Sequence, residues 1–184
     1  MLGLRNHLMI ALPAMEDDNF SRSVVYLCDM DPQGALGLII NRPLSMTLGD
    51  LFQQLDIAVE NSHIEEHPVM FGGPVHSDRG FILHIDDGQS WDSSMQVSDT
   101  LKLTSSMDIL KSIAKGKGPS HFLVALGCSG WTIAQLTDEL KTNDWLTVES
   151  HEPILFDVPV EERRKEAVAH LGFDLELMGA LGHG

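Results

Sequence analysis

Ser23-Val24-Val25-Tyr26-Leu27-Cys28, then Asp31-Pro32-Gln33-Gly34, then Ala35-Leu36-Gly37-Leu38-Ile39-Ile40, is the stretch that decides the fold. Two apolar runs rich in β-branched residues flank a tetrapeptide with Asp first, Pro second and Gly last, the preferences of a type I turn, so the runs pair as an antiparallel hairpin. Working outward, Leu8–Leu12, Val69–Phe71, Phe81–Ile85, His121–Leu126, Leu146–Glu149 and Ile154–Phe156 read as further strands. Four segments read as helices. Thr47-Leu48-Gly49-Asp50 and Ser105-Ser106-Met107-Asp108 place a hydroxyl before an acid, where it accepts from orphan amides. Thr132 and Gln135 have capping-box spacing ahead of Ile133, Leu136 and Leu140. A fourth helix starts near Pro159, aligns Val160, Ala167, Val168 and Leu171, and stops at Gly172. A hairpin-led sheet with one-striped helices lying on it makes an α+β fold with a mixed, largely antiparallel sheet covered by about four helices, one domain over residues 1–184.

The composition agrees, with 43% hydrophobic and 21% charged residues in 184, a globular balance large enough for one core. Twelve Lys and Arg against 27 Asp and Glu leave a formal net charge of −15, a field that repels phosphate backbones and makes direct nucleic-acid binding an unexpected role. Cys28 and Cys128 stand without paired spacing, which fits a reducing compartment and predicts a cytoplasmic protein. The apolar run Leu8–Leu12 is short for a signal peptide and meets Pro13 and Glu16-Asp17-Asp18 at once. No run reaches the length of a membrane span, so no membrane association is expected.

His63-Ile64-Glu65-Glu66-His67 matches the His-x-x-Glu-His zinc-protease pattern by letter, but Pro68 turns His67 away from helical angles and the segment is too short for the required helix. No metal and no cofactor are expected. Gly127-Cys128-Ser129-Gly130-Trp131, between a strand and a helix, reads as a turn resembling a nucleophile elbow with its second Gly one residue early. Ser129 is thus a weak catalytic candidate, and Cys128 reads as a buried small residue. In Asp78-Arg79-Gly80-Phe81-Ile82-Leu83-His84, Arg79 is either a clamp for an anion or the partner of Asp78, and His84 either a proton-transfer group or a hydrogen-bonded, partly buried side chain. Trp131 and Trp145 bracket the third helix as core anchors.

Asn6-His7-Leu8 through Pro13, Phe20-Ser21-Arg22-Ser23, Gly34 through Asn41-Arg42-Pro43, Gly72-Gly73-Pro74-Val75, Arg79 to His84, and Ala125-Leu126-Gly127 through Gln135-Leu136 to Trp145-Leu146 form an ordered series. It resembles the bacterial AlgH/YqgE family over nearly the whole chain. The resemblance implies a one-domain α+β fold with a coiled, bifurcated sheet and no established enzymatic activity; some members are called transcriptional regulators. Members commonly carry an aromatic residue where Cys128 stands and Ala where Ser129 stands, so neither is marked as a family nucleophile, and Thr137 stands where an acid is usual. The expectation is a cytoplasmic binding or regulatory protein acting through a protein or small-molecule partner, with a ligand site where Arg22, Asn41, Gly72, Gly73, Arg79 and His84 converge at strand ends. The alternatives are a hydrolase using His84 or Ser129, and a direct DNA-binding regulator.

Overall fold

A computed structural model describes residues 3–171. Its strands are β1 (His7–Ala11), β2 (Val24–Asp31), β3 (Gly34–Ile39), β4 (Pro43–Thr47), β5 (Pro68–Phe71), β6 (Val75–Ile85), β7 (Ser94–Gln96), β8 (Leu101–Thr104), β9 (Phe122–Trp131) and β10 (Trp145–Glu149). The helices are α1 (Leu48–Gln54), α2 (Met107–Ala114), α3 (Ile133–Lys141), α4 (Glu152–Phe156) and α5 (Arg163–Ala169). The hairpin forms as read: Asp31 pairs with Gly34 across a two-residue loop, and the Asp31 carboxylate accepts from the Gln33 and Gly34 amides.

The sheet runs β10-β1-β2-β3-β9-β6-β8-β7, and it branches at β9. One edge of β9 carries β6. Its other edge carries β5, in parallel, at Val124–Leu126 and then β3, antiparallel, at Ser129–Trp131, with β4 outside β5. The fold is therefore α+β with a mixed, largely antiparallel, bifurcated sheet. Strand alternation then divides the apolar residues. Leu8, Ile10, Tyr26, Leu38, Leu83 and Ala125 form a core with Ile154, Leu155 and Ala167 of α4 and α5. The opposite face is split by the branch: Met9, Val25, Ile39, Trp131 and Trp145 pack with Leu136 of α3, while Val69, Ile82 and Val124 pack with Phe52 of α1 and Ile109 and Ile113 of α2. Trp131 and Trp145 meet edge to face at 6.2 Å, as anchors around α3.

Four expectations change. The Gly127–Trp131 segment is strand, not turn, and the strand-to-helix junction falls at Thr132, whose hydroxyl accepts from the Gln135 amide. Ile154–Phe156 is helical, not a strand, because Glu152 and Pro153 open a helix whose apolar side is too short to show a period. The Ser106 hydroxyl does not cap α2; it donates to the Asp108 carboxylate and accepts from the Ser93 amide. β4, β7 and β8 were unforeseen, being short and, in β4 and β7, without a fully buried residue. Thr47 and Asp50 do form the capping box of α1. Val160, Ala167, Val168 and Leu171 do share a side, the first on a 3₁₀ turn ahead of α5; Gly172 lies outside the described residues. No helix among the described residues is long and apolar enough to cross a membrane.

Candidate functional site

The two glycine motifs, more than fifty residues apart in sequence, meet at the branch of the sheet. The Gly72 amide donates to Leu126 O at 2.9 Å, while Gly72 O accepts from the Ile39 amide at 2.9 Å and from the Ser129 hydroxyl at 3.1 Å. A Cβ on Gly73 would stand 2.2 Å from Cys128 O, and one on Gly127 would stand 2.4 Å from Gly73 O. Ser129, fully buried, therefore ties two backbones together and presents no hydroxyl to solvent. The elbow-like pattern is a packing device.

β6 leaves register opposite this junction. Val75 pairs with Cys128 and Gly80 with Leu126, so five steps on β6 oppose two on β9 and three residues are extra. The bulge contains His76 in the left-handed region at φ 48, facing Gly127 at φ 78. Bulges re-aim side chains beside functional sites. This one carries His76 and Arg79 to the rim of an open cleft of about 320 Å³, floored by Leu36, Phe81, Met95, Leu103 and Cys128 and bordered by Ser93, Ser94 and Ser105.

Arg79 does not pair with Asp78. Its Nη2 donates to the Ser105 hydroxyl at 3.0 Å and its guanidinium lies 5.5 Å from the Phe81 ring centre, with no carboxylate in ion-pair range among the described residues. Burial pushes the Cys128 thiol above its ordinary value, opposed by the nearby Arg79 charge, so Cys128 is a neutral, apolar part of the floor rather than a thiolate.

His84 is buried at 1% exposure, away from the rim. Its Nδ1 lies 3.0 Å from Ile85 O and its Nε2 2.7 Å from the Thr104 hydroxyl, which lies 2.8 Å from the Ser94 hydroxyl. Burial, the largest cause, lowers its pKa, with the Ile85 carbonyl and Asp87 opposing. His84 and Ser129 have different partners and form no nucleophile–base couple.

Arg22 and Asn41 meet elsewhere, at a second cleft of about 360 Å³ with Arg42 and Arg164. Arg22 holds a left-handed backbone at φ 60. Asn41 explains how: its Nδ2 donates to Arg22 O and its Oδ1 accepts from the Val24 amide. Arg42 donates to Asp18 O, Asn19 O and Ser21 O, closing the loop before β2. Arg163 lies buried nearby, donating to Ile40 O and Val158 O, its pKa lowered to about 10 by burial. So the residues expected at one site occupy three places: Arg22 and Asn41 at one cleft, Arg79 at another, and Gly72, Gly73 and His84 in the interior between strands. His63 and His67 are likewise apart from any metal geometry; Ser62–Ile64 is a 3₁₀ turn and the His67 ring stacks on Phe122 at 4.6 Å. Sequence reasoning missed Ser93 and Ser105, because a serine-rich loop has no period or motif to mark which hydroxyls face a cleft; the Ser94 hydroxyl turns instead to Thr104 on the opposite face of the sheet.

Comparison with known proteins adds the family context. The AlgH-like family model matches residues 8–176. A UPF0301 protein of Chromohalobacter salexigens is 50% identical over 178 residues, 97% of this chain and 96% of its own. A second, from Saccharophagus degradans, is 44% identical over 183 residues, 99% of this chain and 89% of its own. The solution structure of the AlgH protein from Pseudomonas aeruginosa superposes with a TM-score of 0.80 at 42% identity, covering 96% of this chain and 93% of that one. A Corynebacterium diphtheriae protein shares the fold at a TM-score of 0.67 and 16% identity, over 86% of this chain and 83% of its own.

Proposed function

The chain belongs to the AlgH-like family, and within it we propose a small-ligand-binding protein of the cytoplasm whose site is the cleft under Arg79. The observation that carries the reading is a guanidinium with no carboxylate partner among the described residues, held by a bulge over an apolar floor. Apolar clefts with a few convergent polar groups are the usual form of small-molecule sites, and about 320 Å³ is at the small end of their range. A cation on the rim selects an anion, and Arg binds carboxylates in a bidentate fork. The net charge of −15 disfavours DNA as the partner and, with it, direct regulation of transcription. Both catalytic candidates serve internal hydrogen bonds, which favours binding over hydrolysis.

The test is an NMR titration of the labelled protein with isocaproate and, separately, its neutral amide. Isocaproate should shift the amides of Arg79, Ser94, Met95 and Ser105, the amide should bind at least tenfold more weakly, and Arg79→Ala should remove the difference. Equal binding of the two, or shifts confined to other surfaces, would refute the site.

A further inference from the structure

The border of the Arg79 cleft is a row of donors on the floor side of the sheet. Ser94 pairs with Thr104 and Met95 with Leu103 across β7 and β8. Alternation therefore puts Ser93 with Met95, and Ser105 with Leu103, on the face away from the Ser94 and Thr104 hydroxyls. The Ser105 hydroxyl accepts from Arg79 Nη2 at 3.0 Å and lies 3.2 Å from the Ser93 hydroxyl. Backbone bonds fix both serines: the Ser105 amide donates to Ser93 O at 2.9 Å, and the Ser93 amide donates to the Ser106 hydroxyl at 3.0 Å.

A guanidinium only donates, so the Ser105 proton is not spent on Arg79. The two hydroxyls share one proton between them, and whichever of them donates, the other's proton has no acceptor among the described residues. The cleft thus offers an anion the remaining N–H groups of Arg79 and one O–H. The chain has 27 Asp and Glu, yet among the described residues none lines this cleft, and His76 shares its rim. A planar carboxylate fills the guanidinium fork with both its oxygens and leaves the hydroxyl proton to water; a tetrahedral oxyanion has a third oxygen for it.

Resting on the small-ligand reading above, we propose that the ligand is a phosphate monoester or phosphonate of a short branched or aromatic group. Two of its oxygens sit on Arg79 and the third on the Ser93 and Ser105 hydroxyl pair, and its apolar group lies on Leu36, Phe81 and Leu103. A cleft of about 320 Å³ holds a head group and a short tail, not a lipid chain.

The probes are isocaproate and isopentylphosphonate, which carries a phosphonate in place of the carboxylate. Each is titrated by NMR into wild type, Ser93→Ala and the Ser93→Ala, Ser105→Ala double variant. In the wild type the phosphonate should bind more tightly by roughly tenfold or more. Ser93→Ala should keep that preference, because the Ser105 proton, no longer shared, turns to the ligand. The double variant has no hydroxyl proton to give, so the preference should fall about tenfold, the worth of one charge-assisted hydrogen bond, to what charge alone supplies, while isocaproate affinity holds. Ser93 is exposed and Ser105 half-buried, and unchanged amide shifts away from the cleft report an intact fold. No preference in the wild type, its loss in Ser93→Ala, or its full survival in the double variant would overturn the tetrahedral selection and leave the anion site standing. Failure of both probes to bind would overturn the site itself.

Discussion

Gly127→Ala is the perturbation that most directly tests how the branch of the sheet is built. The backbone at Gly127 has φ 78, where an L-residue loses about 1–2 kcal/mol to its own Cβ. The new Cβ would also stand 2.4 Å from Gly73 O and 3.3 Å from Ser77 Cα, both backbone atoms without a rotamer to give. Relief requires Gly72–Gly73 to withdraw from β9. That loosens the Gly72 amide bond to Leu126 O and the Ser129 hydroxyl bond to Gly72 O, about 1 kcal/mol each. The loss should therefore be about 3–4 kcal/mol, a large part of the stability of a typical domain. For a chain of this size that is a fall in Tm of roughly 6–16 °C. Gly130→Ala is the control from the same motif: its Cβ meets only Ala35 O, at 3.9 Å, so it should be neutral or slightly stabilising. Urea unfolding of the two variants reads the contrast. If Gly127→Ala lost no more stability than Gly130→Ala, the interlocked junction would be the wrong account of both glycine motifs.

His84 and His67 have pKa values lowered from 6.5, in each case chiefly by burial, so the unfolded chain binds more protons than the folded one below that pH. Their contribution is complete above 6.5 and is lost as pH falls below it, at up to about 1.4 kcal/mol per pH unit for each ring. Asp86 and Asp87 oppose the shift of His84 and Lys102 supports it. Replacement by Asn, which keeps a donor and an acceptor, should flatten the acid side of the urea-midpoint profile; an unchanged slope in His84→Asn would assign the acid sensitivity to other groups. Arg42→Ala should leave the fold intact but open the loop before β2, seen as faster amide exchange at Ser21 and Ser23 and new protease cutting near Asp17 and Asp18. Arg42→Lys should not restore protection, because an ammonium cannot reach three carbonyls in a planar fork; full rescue by Lys would show that charge alone holds the loop.

Much of the architecture was legible locally. The Asp31–Gly34 turn, the Thr47 and Thr132 caps and the apolar runs of β1 and β3 are written in residues that touch their own neighbours, where turn and capping chemistry act over a few positions. Short elements defeated the same logic: Ile154–Phe156 has too few residues to separate a strand from a helix, and Gly127 and Gly130 look like a turn to any reading that cannot see what crosses them. The site was legible in part. Arg79 stood out as a charge at a strand entry, but its distance from Arg22 and Asn41 is a property of the sheet order, which places β9 and β6 on one side of β3 and the Arg22 loop on the other.

By itself, then, the sequence determined the hairpin, the starts of α1 and α3, the acidic field and the family, since each depends on local pattern or on composition summed over the chain. Only the tertiary structure decided what the glycines, Ser129 and His84 do. Their partners across the fold lie twenty to nearly sixty residues away, and whether a hydroxyl or an imidazole is reactive or already committed depends on which atoms the fold brings within about 3 Å of it.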